Sequence, residues 1–181
     1  LITLVEEPVE DPVEDPVEDP LNGTIAEKYE YQNNKTIVNF AGTFKNSKET
    51  FAAQEHKYLS GIHDKNEYSN AITSNTINAV ESSKYTLYAK KDDTIVMKVI
   101  NVIVVSNNAP KIIVNESGVV TINAGTIQND TLDTIYYRIN NGTWTPYTDT
   151  FTVVDKYTID AYQKTKEYKI DSEISTKNGE I

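Results

Sequence analysis

The 181-residue sequence contains no cysteine, which excludes a disulfide scaffold and a Cys-ligated structural zinc site. It has one arginine, Arg138, and a formal net charge of −10. Nucleic-acid binding needs clustered Lys and Arg, so that class is excluded. No apolar run approaches the ~18 residues of a membrane-crossing helix. The seven glycines are all isolated, leaving no phosphate-cradling loop. The two histidines, His56 and His63, stand seven apart and match no helical zinc-binding pattern. In strands that offset places them on opposite faces, and both are expected as surface residues. There is no Gly-x-Ser-x-Gly elbow, and no carboxylate pair is singled out for glycoside hydrolysis. The sequence therefore predicts a non-enzyme with no catalytic residue, cofactor or metal.

The acidity that is present is concentrated. Residues 1–20 hold eight of the 27 acids and no base, so 19 acids face 17 bases in the remainder. Within this segment Val5-Glu6-Glu7-Pro8 is followed by three Val-Glu-Asp-Pro units ending at Pro20, which take four of the six prolines. Proline at every fourth position removes backbone donors and pushes its predecessor to extended geometry, while like charges repel. A stiff spacer of about 3.1 Å per residue is expected over 1–20. Leu1-Ile2-Thr3-Leu4-Val5 alternates like the last strand of a preceding domain, so the chain is expected to be a piece of a longer one.

Beyond Pro20 the composition turns to Thr, Asn, Tyr, Ile and Val, residues suited to pleated, half-buried surfaces. Thr36–Phe40, Tyr85–Ala89 and Ile95–Val99 alternate, and Ile100–Val105 is more continuously apolar, which suits a strand buried on both faces. Further strands are expected at Lys111–Val114, Val119–Ile122, Thr134–Ile139, Phe151–Val154 and Tyr157–Tyr162. In the last, Tyr157, Ile159 and Ala161 face one way and Thr158, Asp160 and Tyr162 the other. Ser47–Leu59 reads either as a helix stopped by Gly61 or as strand. Asp64–Tyr68 begins like a calcium loop but lacks the sixth-position glycine and the distant glutamate, Gln128–Asp133 is an equally weak candidate, and both read as Asx-rich turns.

The spacing is that of a sandwich or barrel. Ser106-Asn107-Asn108-Ala109-Pro110 offers a boundary with the character of a short hinge. The predicted organisation is all-β: an extended spacer over 1–20, then two β-sandwich domains over 21–107 and 108–181.

The second of these carries Tyr136-Tyr137-Arg138-Ile139-Asn140-Asn141-Gly142-Thr143-Trp144-Thr145-Pro146-Tyr147, followed by Tyr157-Thr158-Ile159-Asp160-Ala161-Tyr162. This resembles the small Ig-like modules at the C-terminus of chitobiases and in Gram-positive surface and phage proteins. Lys84-Tyr85-Thr86-Leu87-Tyr88-Ala89 is similar to the closing hairpin of bacterial Ig-like domains, with Asp92-Asp93-Thr94 in place of their usual Gly-Asn turn. The resemblance implies two tandem Ig-like domains, an extracellular, cell-surface or virion location, and no catalytic residue. Its implied partners are neighbouring domains of the same chain and a cell-wall or host-surface glycan or protein.

The hairpin also stands on its own physics. Asn141-Gly142 fits the centre of a type I′ turn, with a three-residue turn placing Gly142 in the left-handed region as the competitor. Trp144 is expected either in the core or, with Tyr147 and Tyr137, on an exposed face that stacks sugar rings. Two functions follow: a non-catalytic structural or adhesive module of a surface protein, or a carbohydrate-binding accessory module of a secreted enzyme.

Overall fold

The computed structural model describes residues 19–181. The expected spacer lies outside the described residues, save for Asp19 and Pro20. The protein is all-β, and two apolar clusters organise it.

The first half contains β1 (Asn22–Gln32), β2 (Lys35–Lys45), β3 (Thr50–Ala52), β4 (Glu55–Ser60), β5 (Ile72–Thr73), β6 (Thr76–Ala79), β7 (Ser83–Lys91) and β8 (Thr94–Val102). One sheet runs β1-β2-β3, with β6 also paired to β2; the other runs β5-β4-β7-β8. Alternation in β2 turns Val38, Phe40 and Phe44 inward, where Ile25, Ile77 and Ala79 join them. They meet Leu87, Ala89, Ile100 and Val102 of the second sheet, which makes a sandwich. Each large side chain buried here contributes roughly 1.5–3 kcal/mol.

One open reading is decided and one expectation corrected. Of the two readings of Ser47–Leu59 the strand holds: β3 pairs with Thr43–Lys45 and β4 pairs along β7, so ladder bonds and burial override a weak helical preference. The strand over Ile95–Val102 ends before Val105 and is not buried on both faces. It forms the edge of its sheet, and Val99 is 39% exposed.

β7, by contrast, is covered on both sides. Leu87 and Ala89 face the core, while Thr86 and Tyr88 are buried beneath residues 61–70, which include a short 3-10 helix at Lys65–Asn70. The Thr86 hydroxyl donates to Gly61 O at 2.8 Å and the Tyr88 hydroxyl to Asp64 O at 2.7 Å. The Asp64 carboxylate accepts from Asn66 N at 2.9 Å, capping the helix. Asp64–Tyr68 is thus an Asx turn.

The second half contains β9 (Ser106–Asn107), β10 (Lys111–Val114), β11 (Val119–Asn123), β12 (Ile127–Gln128), β13 (Leu132–Ile139), β14 (Thr145–Pro146), β15 (Phe151–Thr152), β16 (Lys156–Thr165) and β17 (Ser175–Glu180). Sheets β10-β11-β15 and β14-β13-β16-β17 enclose Val120, Ile122, Ile135, Val153, Tyr157, Ile159 and Ala161. Tyr157, Ile159 and Ala161 share the inner face, as their alternation requires.

Between the halves the expected hinge is tied down. Asn107 is 1% exposed and Gln163 fully buried. Asn107 Nδ2 donates to Gln163 O at 3.0 Å and Ile170 O at 2.8 Å, and Gln163 Nε2 donates to Asn107 Oδ1 at 2.7 Å. From the first half, Asn33 Nδ2 donates to Asn107 O at 2.9 Å and Asn107 N to Asn33 Oδ1 at 2.8 Å. Asn34 N donates to Val105 O at 2.8 Å, and Tyr31 packs on Tyr168 with ring centres 4.4 Å apart. Asn129 adds a donor to Val104 O at 2.8 Å. Small polar residues make an effective joint because their short side chains satisfy buried backbone groups from two directions.

The strand directions then set where the chain enters and leaves. β1 runs from Asn22, beside Lys45, to Gln32 at the joint. β16 runs from Lys156, beside Glu180, to Thr165 at the joint. Leu21 and Ile181 therefore each lie a strand length away from the joint.

Candidate functional site

The outer face of the β13–β16 pair is where the sequence spends its one tryptophan and its one arginine. In β13, Ile135, Tyr137 and Ile139 face the core, leaving Tyr136 and Arg138 outside. Across the ladder Tyr136 registers with Tyr162 and Arg138 with Asp160. Tyr136 and Tyr162 stack with ring centres 5.2 Å apart and planes at 17°. Trp144, just before β14, meets Tyr162 edge-on at 4.8 Å, and the Arg138 guanidinium lies 4.7 Å from its ring centre.

Arg138 is itself held. Its Nε donates to Asp160 Oδ2 at 2.9 Å, and the Thr176 hydroxyl of β17 donates to Asp160 Oδ1 at 2.7 Å. Asp160 is 7% exposed, so the ion pair is shielded and its geometry is fixed from three strands. Next to it, Trp144, Tyr162, Asp171, Ser172 and Ile174 line a surface cleft of about 340 Å³. Lys164 contacts Asp171 at 3.3 Å, and that carboxylate holds the ammonium above its usual range. Burial raises the Tyr162 hydroxyl, and the Asp171 charge adds to the effect.

The hairpin that delivers Trp144 departs from both expected turns. Asn140 and Asn141, not Asn141 and Gly142, carry the positive φ angles, 50° and 58°. Gly142 N donates to Ile139 O at 2.9 Å, closing a type I′ turn over 139–142. The turn is shifted because Asn140 stays in the ladder: its N donates to Thr158 O, and its Oδ1 accepts from Thr158 N, both at 2.8 Å. Asparagine tolerates the left-handed region, so Gly142 is not needed there.

Neither a family model nor a curated protein matches the chain.

Of the three residues expected together as a stacking platform, the fold separates one from the other two. Tyr137 and Tyr147 pack against the second core with Phe151; Tyr137 stacks on that ring at 4.4 Å and Tyr147 meets Tyr137 edge-on at 6.1 Å. Trp144 is half-buried on the opposite side of the sheet. Its companions are Tyr162, Tyr136 and Arg138, which alternation along β13 and β16 already placed away from the core face.

The other candidates have structural roles. His56 is half-buried, and its Nε2 accepts from Gly42 N at 2.9 Å. Burial pushes its pKa below the usual histidine value. His63 Nε2 lies 2.7 Å from Ser60 O, within its own turn. The Asp130 carboxylate in Gln128–Asp133 accepts from Thr131 N, Tyr168 N and Glu167 N. Burial would raise its pKa, but those three donors outweigh burial and hold it low. Among the described residues no group of three His, Asp or Glu is placed to hold a metal ion. No helix among them is long and apolar enough to cross a membrane.

Proposed function

We propose that this chain is a non-catalytic structural or adhesive module of a larger bacterial surface or virion protein. In this reading the two sandwiches are Ig-like domains, the second of the chitobiase C-terminal type, displayed outside the cell on the Val-Glu-Asp-Pro spacer. The observation that carries it is the joint. Two buried amides, Asn107 and Gln163, bond each other and the backbone, and Asn33 extends the network into the first half. A tied-down joint suits a part that holds its two halves in a fixed relation. An enzyme closing on a substrate between two halves would need that region to move.

Denaturation followed in parallel by the single tryptophan, in the second half, and by far-ultraviolet circular dichroism, which sees both, tests the reading. One coincident transition is expected for the full chain, and removing residues 1–18 leaves it unchanged. Asn107→Ala, which strips the amide from the joint, should separate the two signals. Two separate transitions in the unaltered protein would overturn the rigid-module reading.

A carbohydrate-binding role is the second reading, favoured by one observation: the only tryptophan is kept out of both cores and built into the outer aromatic face.

A further inference from the structure

We infer that the cleft between Trp144, Tyr162 and Ile174 is a binding site for a small neutral saccharide, a mono- or disaccharide unit of a larger glycan. The inference rests on the second reading above and gives it a location that the sequence did not.

The first argument is pre-organisation. The solvent face of a sheet needs no tryptophan for folding, and an unsupported indole there would move among rotamers. Here the indole is wedged between the Tyr162 ring edge and the Arg138 guanidinium. Arg138 is fixed by Asp160, and Asp160 by Thr176. Four residues from three strands thus hold one ring still. Binding to a ring already held avoids the entropic cost of ordering it.

The second argument is the chemistry of the walls. Trp144 and Tyr162 offer aromatic surface, and Ile174, 53% exposed, supplies an apolar flank. Asp171 is exposed at the rim and accepts hydrogen bonds beside the Lys164 ammonium, which donates. A pyranose presents an apolar C–H face to aromatic carbon and a girdle of hydroxyls that both donate and accept. Those walls match it. An anionic ligand is disfavoured, because Asp171 faces the cleft and the Arg138 charge is already spent on Asp160. The volume, about 340 Å³, lies at the small end of ligand clefts and suits one or two sugar rings.

The test uses the full chain and the emission of Trp144. It is titrated with cellobiose, maltose, lactose and the disaccharide of N-acetylglucosamine, and with a proline-rich peptide as the competing occupant of an aromatic cleft. A saturable shift in emission with at least one disaccharide is expected. Tyr162→Ala should weaken that response about tenfold or more, since an aromatic contact is worth up to ~1.5 kcal/mol beyond its buried area. Ile174→Asn, at an exposed position that cannot unfold the sheet, should also weaken it, with circular dichroism unchanged. Tyr137→Phe, on the core side, should leave it as it is. A flat titration with every disaccharide overturns the inference, as does a response to the peptide alone. So does a sugar response insensitive to both Tyr162→Ala and Ile174→Asn. None of these outcomes bears on the rigid-module reading, which stands or falls on the unfolding transitions.

Discussion

At the scale of single residues, environment decides role more than residue type does. His56 has the chemistry of a metal ligand or an acid–base group, yet its ring is an acceptor for Gly42 N–H and lies against Phe40 at 5.8 Å. That bond needs a neutral Nε2. With the folded pKa held below the ordinary histidine value by burial, the unfolded chain binds the extra proton first. Stability contributed by this group is complete above about pH 6.5 and falls as the pH drops from there. Urea unfolding between pH 7 and 5, above the range where carboxylates titrate, should show declining stability, and His56→Gln should flatten the slope. An unchanged slope in the variant would place the pH dependence elsewhere. Trp144 makes the same point from the other side. Its type suggested either a core or a sugar platform, and only the partners across the ladder show that it stands opposite Tyr137 and Tyr147.

At the scale of elements, legibility followed side-chain alternation. Thr36–Phe40 and Tyr85–Ala89 alternate cleanly, and β2 and β7 contain them. β1 was not foreseen, although it has 11 residues, because its inward positions include Glu27, Tyr29 and Tyr31 as well as Ile25. Glu27 is tolerated there because it meets Lys98 at 2.9 Å. β17, Ser-Thr-Lys-Asn-Gly-Glu, has no apolar side chain at all. It is a strand only because β16 offers a free ladder edge, and no local pattern encodes that. The β13–β14 turn was legible as a type I′ hairpin but not in its register, since Asn140, Asn141 and Gly142 all accept positive φ, and the choice was made by Thr158 on another strand. Asn141 sits exposed at φ 58°. Asn141→Gly should therefore be close to neutral in thermal unfolding, whereas Asn141→Val should cost about 1–2 kcal/mol by forcing a β-branched residue into the left-handed region. Equal stability of the two variants would mean that the turn relocates.

At the scale of the molecule, the joint is the feature that sequence alone misrepresented. Ser106–Pro110 has the composition of a hinge, and small polar residues near a proline usually mean flexibility. Asn107 and Gln163 lie 56 positions apart, and neither announces a partner. Gln163 also accepts from Gly125 N at 2.8 Å and donates to Gly125 O at 3.1 Å. Gln163→Ala would take the side-chain partner from Gly125 N–H, Gly125 O and the Asn107 side-chain oxygen. A loss of about 1–3 kcal/mol for each unsatisfied group is expected in denaturant titration. Gln163→Glu, which keeps the shape but replaces two donors by acceptors, should be at least as damaging.

The placement of Leu21 and Ile181 at the far ends of their ladders has a mechanical meaning. A load that draws Leu21 away from the joint pulls β1 lengthwise against β2, along a ladder of 11 residue pairs, and one that draws Ile181 away from it pulls β17 lengthwise against β16 along six. In that direction the rungs of each ladder share the tension at once, instead of parting one after another as in a zip. Between them the covalent chain through Ser106–Pro110 carries the tension, and the buried amides brace it. Each terminal strand thus resists a pull along its own length and yields more readily to a pull across it.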